Sequence, residues 1–140
     1  MNAKNTTIKL RSGKQVKNDN KLIKIGRIRH NSWANEILKS KDIYIYEGEI
    51  VHIANKHKLE LKKIGLSSFD FVKFVISNYN EVRKGTGGSY LLIVRRTHTS
   101  NMAAIELISS ERKEFYIVRT ASPISTSRLN KKTLLCANVR

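Results

Sequence analysis

At residue 79 the apolar pattern of this chain changes period, and that change constrains the fold more than any other feature. Downstream, apolar residues alternate with polar ones in short runs broken by turn residues. EVRK (81–84) predicts a strand, GTGG (85–88) a hairpin turn and SYLLIVRR (89–96) a second strand. THTSN (97–101) predicts a polar turn, MAAIELIS (102–109) a strand, SERKE (110–114) a turn and FYIVRTA (115–121) a strand. A loop holding Pro123, the only proline, leads to TLLCA (133–137), a last strand at the edge or centre of the sheet. Short strands joined by tight turns make an antiparallel meander.

Upstream the period is helical. Steps of about 100° over residues 48–64 place Ile50, Ile53, Ala54, Leu61 and Ile64 on one face of a helix that Gly65 ends as a C-cap. Ser67 or Ser68 starts a second helix, with Asp70 in its first turn and Phe71, Val72, Val75 and Ile76 as its apolar stripe. Before them, DIYIY (42–46) predicts a short strand. Asn31 and Ser32 can cap a short helix over 33–39, in which Trp33, the only tryptophan, reads as a core anchor before a base-stacking platform. Residues 21–29 alternate basic with aliphatic, as a short strand or a wrapping arm. Residues 1–20 are polar and lysine-rich, a flexible basic lead-in. The expectation is an α+β fold, N-terminal helices followed by a four- to five-stranded antiparallel sheet, in a single domain over 21–140.

Charge narrows the partners. The chain carries 27 Lys+Arg against 11 Asp+Glu, a net +16. Residues 1–41 hold net +9, residues 42–122 net +3 and residues 123–140 net +4, so a nearly balanced middle lies between two basic arms. Such a field attracts polyanions and makes their binding salt-dependent. Nucleic acid comes first, an anionic membrane surface second and an acidic protein third. One cysteine, Cys136, leaves no intrachain disulfide and no zinc cluster of its own. No apolar run approaches the ~20 residues of a membrane span.

Two side-chain groups carry chemistry. Histidine trades protons near neutral pH. His52 and His57 can therefore act as base and acid when a ribose 2′-hydroxyl attacks the adjacent phosphodiester, a reaction that needs no metal. His57 falls in the middle of the apolar helical face, where an inert core histidine would also sit. His52 falls on a lysine-rich face beside Lys56. Five-residue spacing and the lack of a third ligand argue against zinc. On the sheet, alternation puts Tyr116, Val118 and Thr120 on one side of their strand, and Leu91, Ile93 and Arg95 on one side of theirs. Arg83 precedes the glycine turn. Arginines can grip a scissile phosphate bidentately, and Thr or Tyr hydroxyls can add hydrogen bonds. Cross-strand pairing with Glu106 is the plainer use of Arg95 or Arg96. KGTGGSY lacks the spacing and setting of a phosphate-binding loop.

The helix HIANKH…ELKKIG (52–65), the helix FDFVKFVIS (69–77), the hairpin NYNEVRKGTGGSYLLIV (78–94), AAIEL (103–107) and YIVRTASP (116–123) together cover residues 43–122. This stretch resembles the barnase–EndoU–colicin–RelE superfamily of small ribonucleases, nearest its phage and polymorphic-toxin branches. The resemblance implies a metal-independent endoribonuclease toxin without cofactors, cutting tRNA or another RNA in the cytoplasm of a target cell. It further implies blocking by a small acidic immunity protein and, as in some members, delivery as the C-terminal piece of a larger secreted protein; whether a host activator takes part stays open. By position it assigns catalysis to His52, His57, Thr120 and Arg83 or Arg95. It leaves RNA contacts to Lys56, Tyr90, Arg96, Tyr116 and Ser122. No glutamate stands out as a general base of the barnase type. The alternative is a non-catalytic basic module that binds RNA or DNA.

Overall fold

Strand formation starts well before the period change. In the computed structural model, which describes residues 21–138 and the two-residue strands β1 (Ile8–Lys9) and β2 (Gln15–Val16), β3 (Leu22–Arg27) and β4 (Asp42–Tyr46) already pair antiparallel. Apart from β1 and β2, the expected flexible lead-in lies outside the described residues. Three helices follow: α1 (Glu47–Lys56), α2 (Lys58–Ile64) and α3 (Ser68–Asn78). Then come β5 (Glu81–Lys84), β6 (Ser89–Val94), β7 (Thr99–Ser109), β8 (Glu114–Ser125), the one-turn α4 (Thr126–Leu129) and β9 (Leu134–Ala137).

The fold mixes α and β, but the expected layout is corrected. One seven-stranded sheet runs β3–β4–β8–β7–β6–β5–β9, and the helices sit in mid-chain rather than ahead of all strands. The sheet is also not wholly antiparallel, because β4 lies parallel to β8, with Ile43 opposite Tyr116 and Tyr44 opposite Ile117. A parallel pair needs a long crossover, and α1–α3 supply it. The helical stretch 33–39 is corrected too. It forms hydrogen-bonded turns instead, with Asn31 Oδ1 accepting from the Ala34 amide at 3.0 Å.

The expected helix 48–64 is two helices. His57, at φ −120° and ψ 32°, ends α1 and begins α2. The break turns the second half so that Leu61 is buried while Leu59 and Ile64 face solvent. Gly65 caps α2 at φ 83°, a left-handed conformation that costs glycine little. Ser67 caps α3, its Oγ accepting from the Asp70 amide at 3.1 Å.

The helices cover one face of the sheet. Ile53, Leu61, Phe71, Val72, Val75 and Ile76 pack there against Ile43, Ile45, Val82, Leu92, Val94, Ala103, Ile105, Tyr116, Val118 and Ala121. Each large aliphatic side chain fully buried in this layer contributes about 1.5–3 kcal/mol. The opposite face carries a smaller cluster, Leu91, Ile93, Ala104 and Ile124, covered by Leu129 of α4. A β-bulge in β8 links the two faces. Ile105 pairs with Val118 but Ala104 pairs with Thr120, so Arg119 is the extra residue. The bulge shifts the alternation by one. Thr120 therefore lies on the α4 face with Ala104, across the sheet from Tyr116 and Val118, and not beside them as strict alternation predicts. Pro123 is within β8 rather than in a loop. It is tolerated because β8 pairs with β4 only around Tyr116 and Ile117, which leaves the strand at Pro123 with β7 as its one neighbour.

Candidate active site

The sheet divides the residues expected to act together. Arg83 and Arg95 lie on the α4 face, where both hold Glu81: Arg95 Nε donates to Oε1 at 2.7 Å and Arg83 Nε donates to Oε2. Arg83 also donates to the Lys132 carbonyl at 2.6 Å, and Arg95 to the Asn130 side chain. Burial pushes the Glu81 carboxyl up, but the hydrogen bonds from Arg95 and Arg83 outweigh it and hold the group below the ordinary carboxylate range. These guanidiniums are committed to tying β5 and β6 to the segment before β9. Thr120 and Ser122 share that face, and Ser122 is buried.

His57, by contrast, is on the helical side, at the α1–α2 break, with Nδ1 3.3 Å from Glu60 Oε2 and its side chain 15% exposed. Tyr116 is buried and its hydroxyl accepts from the Lys39 amide at 2.9 Å. Tyr90 is half-buried against the main core. Arg96 is exposed, its backbone amide donating to Ser100 Oγ at 2.9 Å. The structure thus does not bring His57 together with Arg83, Arg95 and Thr120. The cross-strand partner of Glu106 is Arg119, whose Nε donates to Glu106 Oε1 at 2.8 Å.

His52 and Lys56 gain a partner that the sequence reading passed over. On α1, Glu49, His52 and Lys56 stand at i, i+3 and i+7, and so share one stripe of the helix. That stripe borders Ile53, the residue α1 buries. Glu49 is half-buried, whereas His52 and Lys56 are exposed. Glu49 Oε2 is fully buried and has no hydrogen-bond partner, the only such side-chain atom among the described residues. An unpartnered buried carboxylate oxygen is costly, and native proteins tolerate few of them.

Electrostatics at Glu49 follow from that burial. Desolvation pushes its carboxyl above the ordinary range, while the charges of His52, Lys56 and Arg119 pull it down without prevailing. The backbone explains how Arg119 reaches the same place. α1 begins directly after β4, so its first turn stands at the C-terminal end of that strand. Extending the parallel β4–β8 register by two residues sets Arg119 level with Tyr46, immediately before α1. The bulge that frees Arg119 from strict alternation therefore lies next to the first turn of the helix that carries Glu49.

Chemically, the cluster offers a carboxyl whose proton affinity is raised, a histidine one turn away, and two cations. Glu49 is the functional candidate missed in the sequence, and the i, i+3, i+7 spacing of an acid, an imidazole and an amine was its signal. Among the described residues no group of three or more His, Cys, Asp or Glu side chains is placed to hold a metal ion. No helix among them is long and apolar enough to cross a membrane. Comparison with family models, curated proteins and solved structures found no match for this chain.

Proposed function

We propose that this protein is an endoribonuclease that cleaves RNA by 2′-hydroxyl transesterification, with the Glu49 cluster as its active site. The observation that carries this reading is the half-buried Glu49, with its unpartnered Oε2 and raised proton affinity, set among His52, Lys56 and Arg119. Perturbed carboxyls with named charge partners concentrate at functional sites. In the reaction, Glu49 takes the proton of the 2′-hydroxyl as the 2′-oxygen attacks phosphorus. The bond from phosphorus to the 5′-oxygen breaks, and His52 delivers a proton to that leaving oxygen. The products are a 2′,3′-cyclic phosphate and a free 5′-hydroxyl. Lys56 and Arg119 neutralise the charge that builds on the phosphorane oxygens. The net charge of +16 adds affinity for the RNA backbone, with tRNA the first substrate to try.

The test is incubation of the purified chain with total tRNA in EDTA, followed by analysis of the new ends. The reading expects 2′,3′-cyclic phosphate ends and a loss of product with His52→Ala. No cleavage under any salt or pH condition, or full cleavage by His52→Ala, overturns it. The second reading is a basic module that binds nucleic acid without cutting it, and the same charge favours it. It expects affinity that falls steeply with salt, no product, and indifference to His52→Ala.

A further inference from the structure

At the far end of the β3–β4 pair from Glu49 lies a cavity of about 500 Å³, bounded by β3, the end of α3 and the turn segment before Ala34. That volume falls within the ~300–1,000 Å³ range of small-molecule sites. β3 is an edge strand of the sheet. Near its C-terminal end the strand runs tight against α3: a Cβ built on Gly26 would lie 3.0 Å from Ile76 Cγ2. Beyond that close approach, strand and helix leave the cavity between them.

Its walls combine two chemistries. Trp33 and Tyr79 form an aromatic wall, their ring centroids 5.5 Å apart at 56°. Asn31 is fixed beside them, its Nδ2 donating to the Tyr79 hydroxyl at 3.4 Å and its Oδ1 engaged by the Ala34 amide. Lys24, Arg27 and Arg29 bring three positive charges. Asp42 answers two of them, at 2.7 Å from Arg27 Nη1 and 3.4 Å from Lys24 Nζ. Among the described residues Arg29 has no acidic partner. The cavity therefore carries excess positive charge next to an aromatic surface and a held amide. Aromatic rings bind bases by stacking, and arginine binds phosphate oxygens with a planar fork.

We infer that this cavity binds a nucleoside monophosphate unit, with its base against Trp33 and Tyr79 and its phosphate at Arg29. The unit is either a free nucleotide or one residue of an RNA chain, and the two share this chemistry. The site is separate from the Glu49 cluster and does not depend on cleavage. Three to five strand residues lie between the two, a distance on the order of 10–17 Å at ~3.3 Å per residue.

Trp33 is the only tryptophan, and it lines both this cavity and a second one beside Glu36 and Leu135, so its fluorescence reports binding at either and Arg29, which lines only the first, tells them apart. The full chain is titrated with AMP, with UMP, with inorganic phosphate and with a short all-deoxy oligonucleotide, which 2′-hydroxyl chemistry cannot cut. The expected result is saturable quenching by a nucleotide or the oligonucleotide at least tenfold tighter than any effect of phosphate. Arg29→Ala, at an exposed position, weakens it at least tenfold, whereas Lys62→Ala on α2, of equal charge change, does not. Quenching by mononucleotide at the affinity of the oligonucleotide assigns a free nucleotide. Quenching by the oligonucleotide alone assigns a nucleic-acid chain. No saturable quenching, nucleotide binding no tighter than phosphate, or equal weakening by Arg29→Ala and Lys62→Ala overturns the inference. Because no probe is cleavable, failure here leaves the cleavage reading standing, and failure of cleavage leaves this one.

Discussion

Replacing Glu49 with glutamine should lower activity and raise stability together, a pairing that few other substitutions in this chain would give. Glutamine keeps the shape and removes the charge. In the folded protein the Glu49 carboxyl titrates above its unfolded value, because desolvation outweighs the attraction of His52, Lys56 and Arg119. The folded state therefore holds this proton more tightly than the unfolded chain. Stability linked to that proton is fully present below the unfolded pKa of about 4.3 and is lost as pH rises through the raised folded value. At pH 7 the wild-type protein thus keeps a carboxylate that disfavours folding. A buried acceptor left unsatisfied costs about 1–3 kcal/mol. Glutamine still leaves one polar atom unpartnered there, but it removes the extra cost of burying a charge, and it forfeits weak attractions to exposed cations, each worth about 0.2–1 kcal/mol.

The net expectation is a gain of about 1 kcal/mol at pH 7, or roughly 3–4 °C in Tm for a chain of this length. The gain should fade as pH falls toward 4, where the wild-type carboxyl is protonated in both states. Loss of a general base should lower RNA cleavage by about 10²–10⁴-fold. Thermal unfolding monitored by circular dichroism at pH 7 and pH 4, beside a single-turnover tRNA assay, measures both. A drop in Tm at pH 7 would refute the burial argument. Unchanged cleavage would remove Glu49 from the chemistry whatever its stability effect.

Glu81→Ala strands the guanidiniums of Arg83 and Arg95 around a carboxylate site only 7% exposed, and should cost about 3 kcal/mol, read as a lower urea midpoint. The Glu81 carboxyl titrates below its ordinary range, so the stability it contributes is present above the unfolded pKa and is lost as pH falls through the folded one; the wild-type advantage should narrow below about pH 4. Gly26→Ala should destabilise by about 1–2 kcal/mol, because the new methyl meets Cγ2 of the buried Ile76 side chain at 3.0 Å, and that cost should shrink in a chain that also carries Ile76→Ala, which removes the Cγ2 methyl. Thr120→Val lies across the sheet from the α1 cluster, so tRNA cleavage should stay within about threefold of wild type. A hundredfold loss would show that Thr120, rather than the Glu49 stripe, meets the phosphate.

Much of the chain was legible where one physical signal dominated. The GTGG turn, the β5–β6 hairpin, the Gly65 cap and the Ser67 cap depend on backbone conformations that few residues supply, and the structure has each of them. The β3–β4 pair was less visible, because an edge strand rich in Lys and Arg reads equally well as a solvated arm. The parallel pairing of β4 with β8 had no local signal at all, since it joins residues about seventy positions apart.

The two misplacements at the site have one physical origin. Helical and strand periods assign faces only while the period holds. At His57 the helix breaks, so a wheel drawn over 48–64 carries the wrong angle into its second half. At Arg119 the strand bulges, so Thr120 moves to the face opposite Val118. Both interruptions bear on the assignment of the acid–base group. The intact part of the wheel, over α1, aligns Glu49 with His52 and Lys56. The bulged part of β8 supplies Arg119 beside the first turn of that helix. An acid in a first helical turn is ordinarily a solvated complement to the helix dipole. What distinguishes Glu49 is burial beside Ile53, a property of how α1 rests on β4 and β8. The sequence holds the spacing of the cluster, but the cost that sets Glu49 apart arises only when helix and sheet are packed together.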